Sequence, residues 1–98
     1  MPKFLQDCVL RHEGVHAKIC KDGGICWGIV TFRKKPCEEH VAYAESIKCA
    51  KEAMENISSL SEDDQLALKC YLKSSRQSCK ANEAACRWPR TPDVPSCD

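Results

Sequence analysis

The sequence has little from which to build a large core or a membrane anchor. Only 6% of its 98 residues are aromatic and four are glycine. No apolar run of about eighteen residues occurs, so we expect no membrane span. It has no Gly-rich phosphate loop, and its first residues lack the apolar segment of a signal peptide. A net charge of +1 argues against nucleic-acid or membrane-surface binding driven by bulk charge.

Cysteine, by contrast, is abundant. Nine of the 98 residues are cysteine, a share typical of small secreted domains held by disulfides, and no C-x-x-C pair occurs. We therefore expect a secreted or periplasmic chain from an oxidising compartment, with eight oxidised cysteines and one free thiol. That thiol could link two chains, and the oligomeric state stays open. Our candidates for it are Cys8, Cys26, Cys86 and Cys97.

Apolar periodicity predicts one mainly α domain over residues 1–98, with three short helices and at most one short strand or hairpin. Residues 1–20 form the first helix, and residues 21–36 a turn and extended linker, in which residues 25–32 are the strand candidate. A helical hairpin follows over 37–80, its first helix ending near residue 58. Ser61 is the expected N-cap of its second helix, and residues 81–98 are a Cys- and Pro-rich tail.

The hairpin suggests disulfide pairings, although spacing alone does not fix the connectivity. Antiparallel helices joined near Leu60 would place Cys49 and Cys70 at similar heights, and Cys37 and Cys79 further out. Two such bridges would resemble the twin cysteine-pair hairpins of the mitochondrial intermembrane space, although the spacings here are unequal.

Residues 12–16 read His-Glu-Gly-Val-His, an H-E-x-x-H motif. Residues four apart share one face of a helix, so His12 and His16 can present two imidazoles to a single Zn²⁺ ion. Glu13 then lies beside the metal as the candidate general base. The alternative is that both histidines are ordinary surface or core residues.

Residues 9–47 resemble the small gluzincin-type zinc metallopeptidases found as compact domains in bacterial secreted and toxin-associated proteins. Those enzymes carry H-E-x-x-H on one helix and an E-x-x-A motif on a later one, which Glu39-His40-Val41-Ala42 matches. The resemblance implies a minimal zincin-like helix pair with Glu39 as third ligand, Glu38 as the fallback and His40 as a weaker substitute. Tyr43, one turn further on, would steady a ligand or act at the oxyanion; packing in the core is the alternative.

The sequence departs from that family in two respects. Lys18 occupies a position where a hydrophobic residue is usual, and the only strand candidate follows the metal helix instead of preceding it. A Cys20–Cys37 disulfide would tether the two ligand-bearing helices, and the alternative is that Cys20 itself ligates the metal.

Two functions follow. The first is a zinc-dependent hydrolase that cleaves a protein or peptide substrate. The alternative is a non-enzymatic, disulfide-rich helical toxin, effector or secreted ligand that binds a protein receptor.

Overall fold

The computed structural model describes residues 2–21, 35–86 and 96–98, and it consists of three helices. Helix α1 spans Lys3–Lys21, α2 spans Lys35–Met54 and α3 spans Glu62–Ala85, with a 3₁₀ turn at Ile57–Ser59 between α2 and α3. No strand occurs in the described ranges. The predicted mainly α, disulfide-stapled, three-helix fold is confirmed. The strand candidate at 25–32 and the Pro-rich stretch at 88–95 lie outside the described residues.

Local hydrogen bonds explain where two of the helices begin. The N–H groups of Leu5 and Gln6 both donate to the Pro2 carbonyl over 3.1 Å, which satisfies two free donors at the start of α1. At α3, the Ser61 hydroxyl accepts from the N–H of Asp64 over 3.2 Å. Ser61 is therefore the N-cap of α3, as its position before an acidic first turn predicts.

Two helix ends differ from the prediction. Helix α2 stops at Met54, because the 3₁₀ turn takes over the last few residues predicted to be helical. Helix α3 continues past Lys80 to Ala85, so residues 81–85 are helical and do not belong to the tail. Three of these five residues are alanine, the best helix former, which explains the extension.

Helix α2 is the central element and packs against both other helices. Ala42, on its α1 side, is completely buried, and small residues such as Ala44 and Ala50 also line its buried surface. Small side chains let helices approach closely but remove little apolar area from water, so cross-links contribute much of the stability. The buried core cluster comprises Leu5, Ala44, Ile47, Ala50, Leu68, Leu72, Cys79 and Cys97.

Three disulfides hold the helices together in the described part of the chain. Cys8–Cys49 joins α1 to α2, Cys37–Cys86 joins the start of α2 to the end of α3, and Cys79–Cys97 joins α3 to the C-terminal segment. Three intrachain bridges indicate an oxidising, extracellular-type environment. No described helix combines the length and apolar character that crossing a membrane requires.

This connectivity corrects the predicted pairings Cys49–Cys70 and Cys37–Cys79. The height of a cysteine along the hairpin does not determine which side of its helix the cysteine occupies. Cys49 lies on the α1 side of α2, whereas Cys70 lies on the exposed side of α3 and is a free thiol. Because α3 extends to Ala85, Cys86 instead of Cys79 reaches Cys37.

The remaining cysteine predictions change accordingly. A Cys20–Cys37 bridge is excluded because Cys37 is bonded to Cys86, and the two bridges that a twin cysteine-pair hairpin requires do not form. Cys8, Cys86 and Cys97 are all oxidised, so the free thiol is not among these three. The fourth candidate, Cys26, and the side chain of Cys20 lie outside the described residues.

Candidate metal centre

The two histidines of the H-E-x-x-H motif meet on one face of α1. Their Nε2 atoms are 3.3 Å apart and their ring centroids are 5.1 Å apart. The four-residue spacing within a helix fixes this proximity. Both imidazoles therefore direct the same nitrogen toward a common point between α1 and α2.

Glu39 brings a carboxylate from α2 to that point. Its Oε1 lies 3.2 Å from His16 Nε2 and its Oε2 lies 3.6 Å from His12 Nε2. Ligand atoms of all three residues lie within 4.8 Å of one another. The structure thus brings together the three residues that the sequence motifs suggested as ligands.

The spacing of these donors suits a tetrahedral transition-metal ion. With metal–nitrogen and metal–oxygen distances of about 2.0–2.2 Å, two donors at a tetrahedral angle lie about 3.3–3.4 Å apart. The observed separations of 3.2, 3.3 and 3.6 Å bracket that value. The three side chains therefore fit the ion without large rearrangement.

Hydrogen bonds to the opposite ring nitrogens orient both imidazoles. His16 Nδ1 lies 2.6 Å from Glu38 Oε1, and His12 Nδ1 lies 3.0 Å from the Ser46 hydroxyl. The Ser46 hydroxyl itself donates to the Ala42 carbonyl, which leaves its oxygen to accept from His12. With Nδ1 donating to Ser46 in one ring and to Glu38 in the other, the neutral tautomer of each ring carries its lone pair on Nε2. Such outer hydrogen bonds are a regular feature of metal-binding histidines.

The resulting electrostatics favour a positive charge at the centre. Two Nε2 lone pairs and the Glu39 carboxylate converge, and they repel one another until a cation, either a proton or a metal, lies between them. Burial lowers the pKa of His12, although the Glu39 carboxylate opposes that shift. A histidine with a lowered pKa is neutral at pH 7 and free to ligate a metal.

The site is sheltered but remains in contact with solvent. The side chains of His16 and His12 are 11% and 14% exposed, whereas Glu39 is 23% exposed. Tyr43 packs edge-on against the His12 ring with centroids 4.6 Å apart, and it also contacts the core cluster. Tyr43 therefore connects His12 to the core cluster, and its predicted role at the oxyanion or in steadying a ligand stays a prediction.

Covalent and ionic contacts fix α1 against α2 around this site. The Cys8–Cys49 bridge lies one turn before His12, and Cys8 is 1% exposed. Next to His12 in the chain, Arg11 donates from Nε to Glu45 over 2.9 Å and from Nη1 to Glu52 over 2.7 Å. These two carboxylates raise the pKa of Arg11, so the guanidinium is charged throughout the accessible pH range. The three candidate ligands thus come from two helices that a disulfide and the contacts of Arg11 join.

Other predicted site residues occupy different places. Glu13 follows His12 directly and is exposed, and its charge partly opposes the lowering of the His12 pKa by burial. Glu38 binds the outer nitrogen of His16 and so acts as a hydrogen-bond partner, while its Oε2 is buried with no partner among the described residues. His40 faces away from this site, toward Cys79 and Cys97.

Sequence reasoning missed Ser46 and Arg11. Ser46 lies seven residues, about two helical turns, after Glu39, so the helical period places both on one side of α2. That spacing is the signal by which Ser46 could have been found. Arg11 has no comparable signal, because its partners Glu45 and Glu52 depend on how α1 and α2 pack.

Comparisons with protein-family models, with curated proteins and with solved structures find no match to this chain.

Proposed function

We propose that the chain binds a zinc-class divalent ion through His12, His16 and Glu39 and uses it to hydrolyse peptide or amide bonds. The observation that carries the proposal is the convergence of two imidazole nitrogens and one carboxylate. His12 Nε2 and His16 Nε2 are 3.3 Å apart, and the two oxygens of Glu39 lie 3.6 Å and 3.2 Å from them respectively. Two imidazoles and one carboxylate are a common ligand set of catalytic zinc, in which three protein ligands leave one position open.

The chemistry divides between the ion and the chain. Zinc supplies Lewis-acid polarisation of a carbonyl and lowers the pKa of water to about 7. Glu13 is the only carboxylate of the H-E-x-x-H motif, and its exposure leaves it able to accept a proton from water and later deliver it to the leaving amine. Ser46 and Glu38 hold the imidazoles in the tautomer that ligation requires.

This function corresponds to the compact H-E-x-x-H metallopeptidases that the motifs resemble. The disulfides agree with a secreted or periplasmic effector, because such proteins fold where thiols are oxidised. The substrate is then a protein or peptide outside the cytoplasm of the producing cell.

Zinc titration of matched glutamate variants tests the binding half of the proposal. Glu39→Gln removes a ligand and should weaken zinc binding by more than about 100-fold. Glu38→Gln removes only an outer hydrogen bond and should weaken it by about 10–100-fold. Glu55→Gln changes an exposed residue beyond the end of α2 and should leave affinity unchanged. Equal affinity in all three variants would exclude this site.

Glu13→Gln tests the hydrolytic half. The amide cannot accept a proton, so cleavage of labelled casein and of a mixed peptide library should be lost while zinc affinity changes little. Chelation of the metal should abolish the same activity, and added zinc should restore it. Full cleavage by the Glu13→Gln protein would show that Glu13 is not the base.

The second candidate is a non-enzymatic helical module whose metal serves only structure. It is favoured by the lack of any strand in residues 2–21, 35–86 and 96–98, since zinc peptidases commonly align the substrate on a strand edge. This candidate predicts zinc binding and zinc-dependent stability with no cleavage of either probe by the unmodified chain.

A further inference from the structure

A second cluster of metal-ligating side chains lies on the side of α2 that faces α3. His40 Nδ1 is 3.5 Å from Cys79 Sγ and 3.4 Å from Cys97 Sγ, the two atoms of a disulfide. Glu83 Oε2 is 3.4 Å from Cys97 Sγ and 3.8 Å from His40 Nδ1. Ligand atoms of His40, Cys79 and Cys97 all lie within 4.8 Å of one another, and the Glu83 carboxylate approaches two of these residues.

The cluster is buried, unlike an accidental meeting of surface groups. His40 is 3% exposed, Cys79 is fully buried and Cys97 is 4% exposed. His40 Nε2 is buried without a hydrogen-bond partner among the described residues, and within that part of the chain the ring makes its polar contacts at Nδ1. His40 Nδ1 lies within 3.5 Å of both sulfurs and of the Cys79 carbonyl oxygen, so this nitrogen is the one directed at the disulfide.

The distances suit zinc once the sulfurs are separated. For tetrahedral zinc, with zinc–sulfur distances of about 2.3 Å, the sulfur–nitrogen separation is about 3.6 Å, as is sulfur–oxygen, and nitrogen–oxygen is about 3.4 Å. The observed contacts of 3.4–3.5 Å, 3.4 Å and 3.8 Å lie near these values. The sulfur–sulfur bond prevents ligation by Cys79 and Cys97, because disulfide sulfurs carry no thiolate charge.

We propose that reduction of the Cys79–Cys97 disulfide converts this cluster into a zinc site with Cys79, Cys97, His40 and Glu83 as ligands. A dithiol reductant transfers two electrons and two protons, which breaks the sulfur–sulfur bond, yields two thiols and leaves the reductant as its cyclic disulfide. Zn²⁺ then displaces both thiol protons, which pass to solvent, and the two thiolates form bonds to the metal.

Two exposed contacts besides the disulfide join the C-terminal segment to α3. Arg76 Nη2 donates to the Asp98 carbonyl over 3.3 Å, and Lys80 Nζ lies 3.9 Å from Asp98 Oδ1, so two residues of α3 hold the segment that carries Cys97. Cys79 is fixed within α3 itself. The site therefore links metal content to redox state, since zinc enters this cluster only in the reduced chain.

Zinc uptake by the oxidised and reduced Cys70→Ser protein tests the proposal, because that variant lacks the exposed thiol. In this experiment a phosphine replaces the dithiol as reductant, because it competes little with the protein for zinc. The phosphine is oxidised to its oxide with oxygen from water, and the disulfide becomes two thiols. The reduced protein should bind one zinc more than the oxidised protein. Cobalt in place of zinc should show thiolate-to-metal charge-transfer absorption, which the His12/His16/Glu39 site cannot produce because it contains no sulfur.

Two variants separate this site from the other thiols that reduction releases. Adding the Cys97→Ser substitution to the Cys70→Ser protein removes one thiolate ligand. It should abolish both the additional zinc bound on reduction and the thiolate-to-cobalt charge-transfer absorption. Glu83→Gln keeps every cysteine and should weaken zinc binding to the reduced protein by at least about tenfold, with no effect on the oxidised protein. The proposal is overturned if the reduced Cys70→Ser protein binds no more zinc than the oxidised protein. It is also overturned if the reduced Cys70→Ser/Cys97→Ser protein binds as much zinc as the reduced Cys70→Ser protein. Because zinc is counted relative to the oxidised chain, failure here is distinct from failure of the proposed hydrolase site.

Discussion

The Cys8–Cys49 disulfide joins the helix that carries both histidines to the helix that carries Glu39, and its removal should weaken both folding and metal binding. The bridge spans 41 residues of sequence. Closing a loop of that length removes chain entropy from the unfolded state worth about 4 kcal/mol. The overlapping Cys37–Cys86 bridge already restricts the unfolded chain, so we expect the Cys8→Ala/Cys49→Ala variant to lose about 3–4 kcal/mol.

Urea denaturation followed by circular dichroism measures this loss, and Cys70→Ser serves as the control because Cys70 is exposed and unbridged. Without the bridge the ligands are less preorganised, so zinc affinity should also fall. Saturating zinc should then raise the urea concentration at which half of the Cys8→Ala/Cys49→Ala protein is unfolded, because an ion that binds only the folded chain stabilises it. A loss below about 1 kcal/mol, with zinc affinity unchanged, would refute the view that this bridge positions the site.

Three further predictions concern single residues. Gly14 lies within α1 with no atom within 4 Å of an added Cβ, so Gly14→Ala should raise the free energy of unfolding in urea by about 0.5–1 kcal/mol. Ser61→Ala removes the N-cap bond to Asp64 and should lower it by about 1 kcal/mol in the same assay. Burial lowers the pKa of His12, so the stability of the metal-free chain should be full above the unfolded value of 6.5 and should decrease as pH falls through the folded value. The free energy of unfolding, measured by urea denaturation over that pH range, should depend less on pH in the His12→Asn protein. A free energy of unfolding that rises as the pH falls would contradict the assignment.

Features that depend only on the positions of residues within one helix were predicted from the sequence. The meeting of His12 and His16 follows from a spacing of four residues, and the Ser61 cap follows from a serine before three acidic residues. Both are local properties that no tertiary contact has to supply.

Features that depend on how helices pack were predicted less well. Cys49 and Cys70 were predicted to lie at similar heights along the hairpin, but they face different sides of it. Which side of a helix faces a neighbouring helix depends on how α1 and α3 pack on α2. For the same reason Glu38 was a fallback ligand in the sequence yet is an outer hydrogen-bond partner in the fold. Glu39 was suggested by family resemblance, and its approach to the histidines required the relative position of two helices.

X-ray absorption of the zinc-loaded, oxidised protein measures whether His12, His16 and Glu39 bind one metal ion. We expect one zinc per chain with only nitrogen and oxygen neighbours at about 2.0–2.2 Å, two of them imidazoles, and loss of that signal in the Glu39→Gln protein. A sulfur neighbour at about 2.3 Å, or no zinc bound by the oxidised chain, would contradict it.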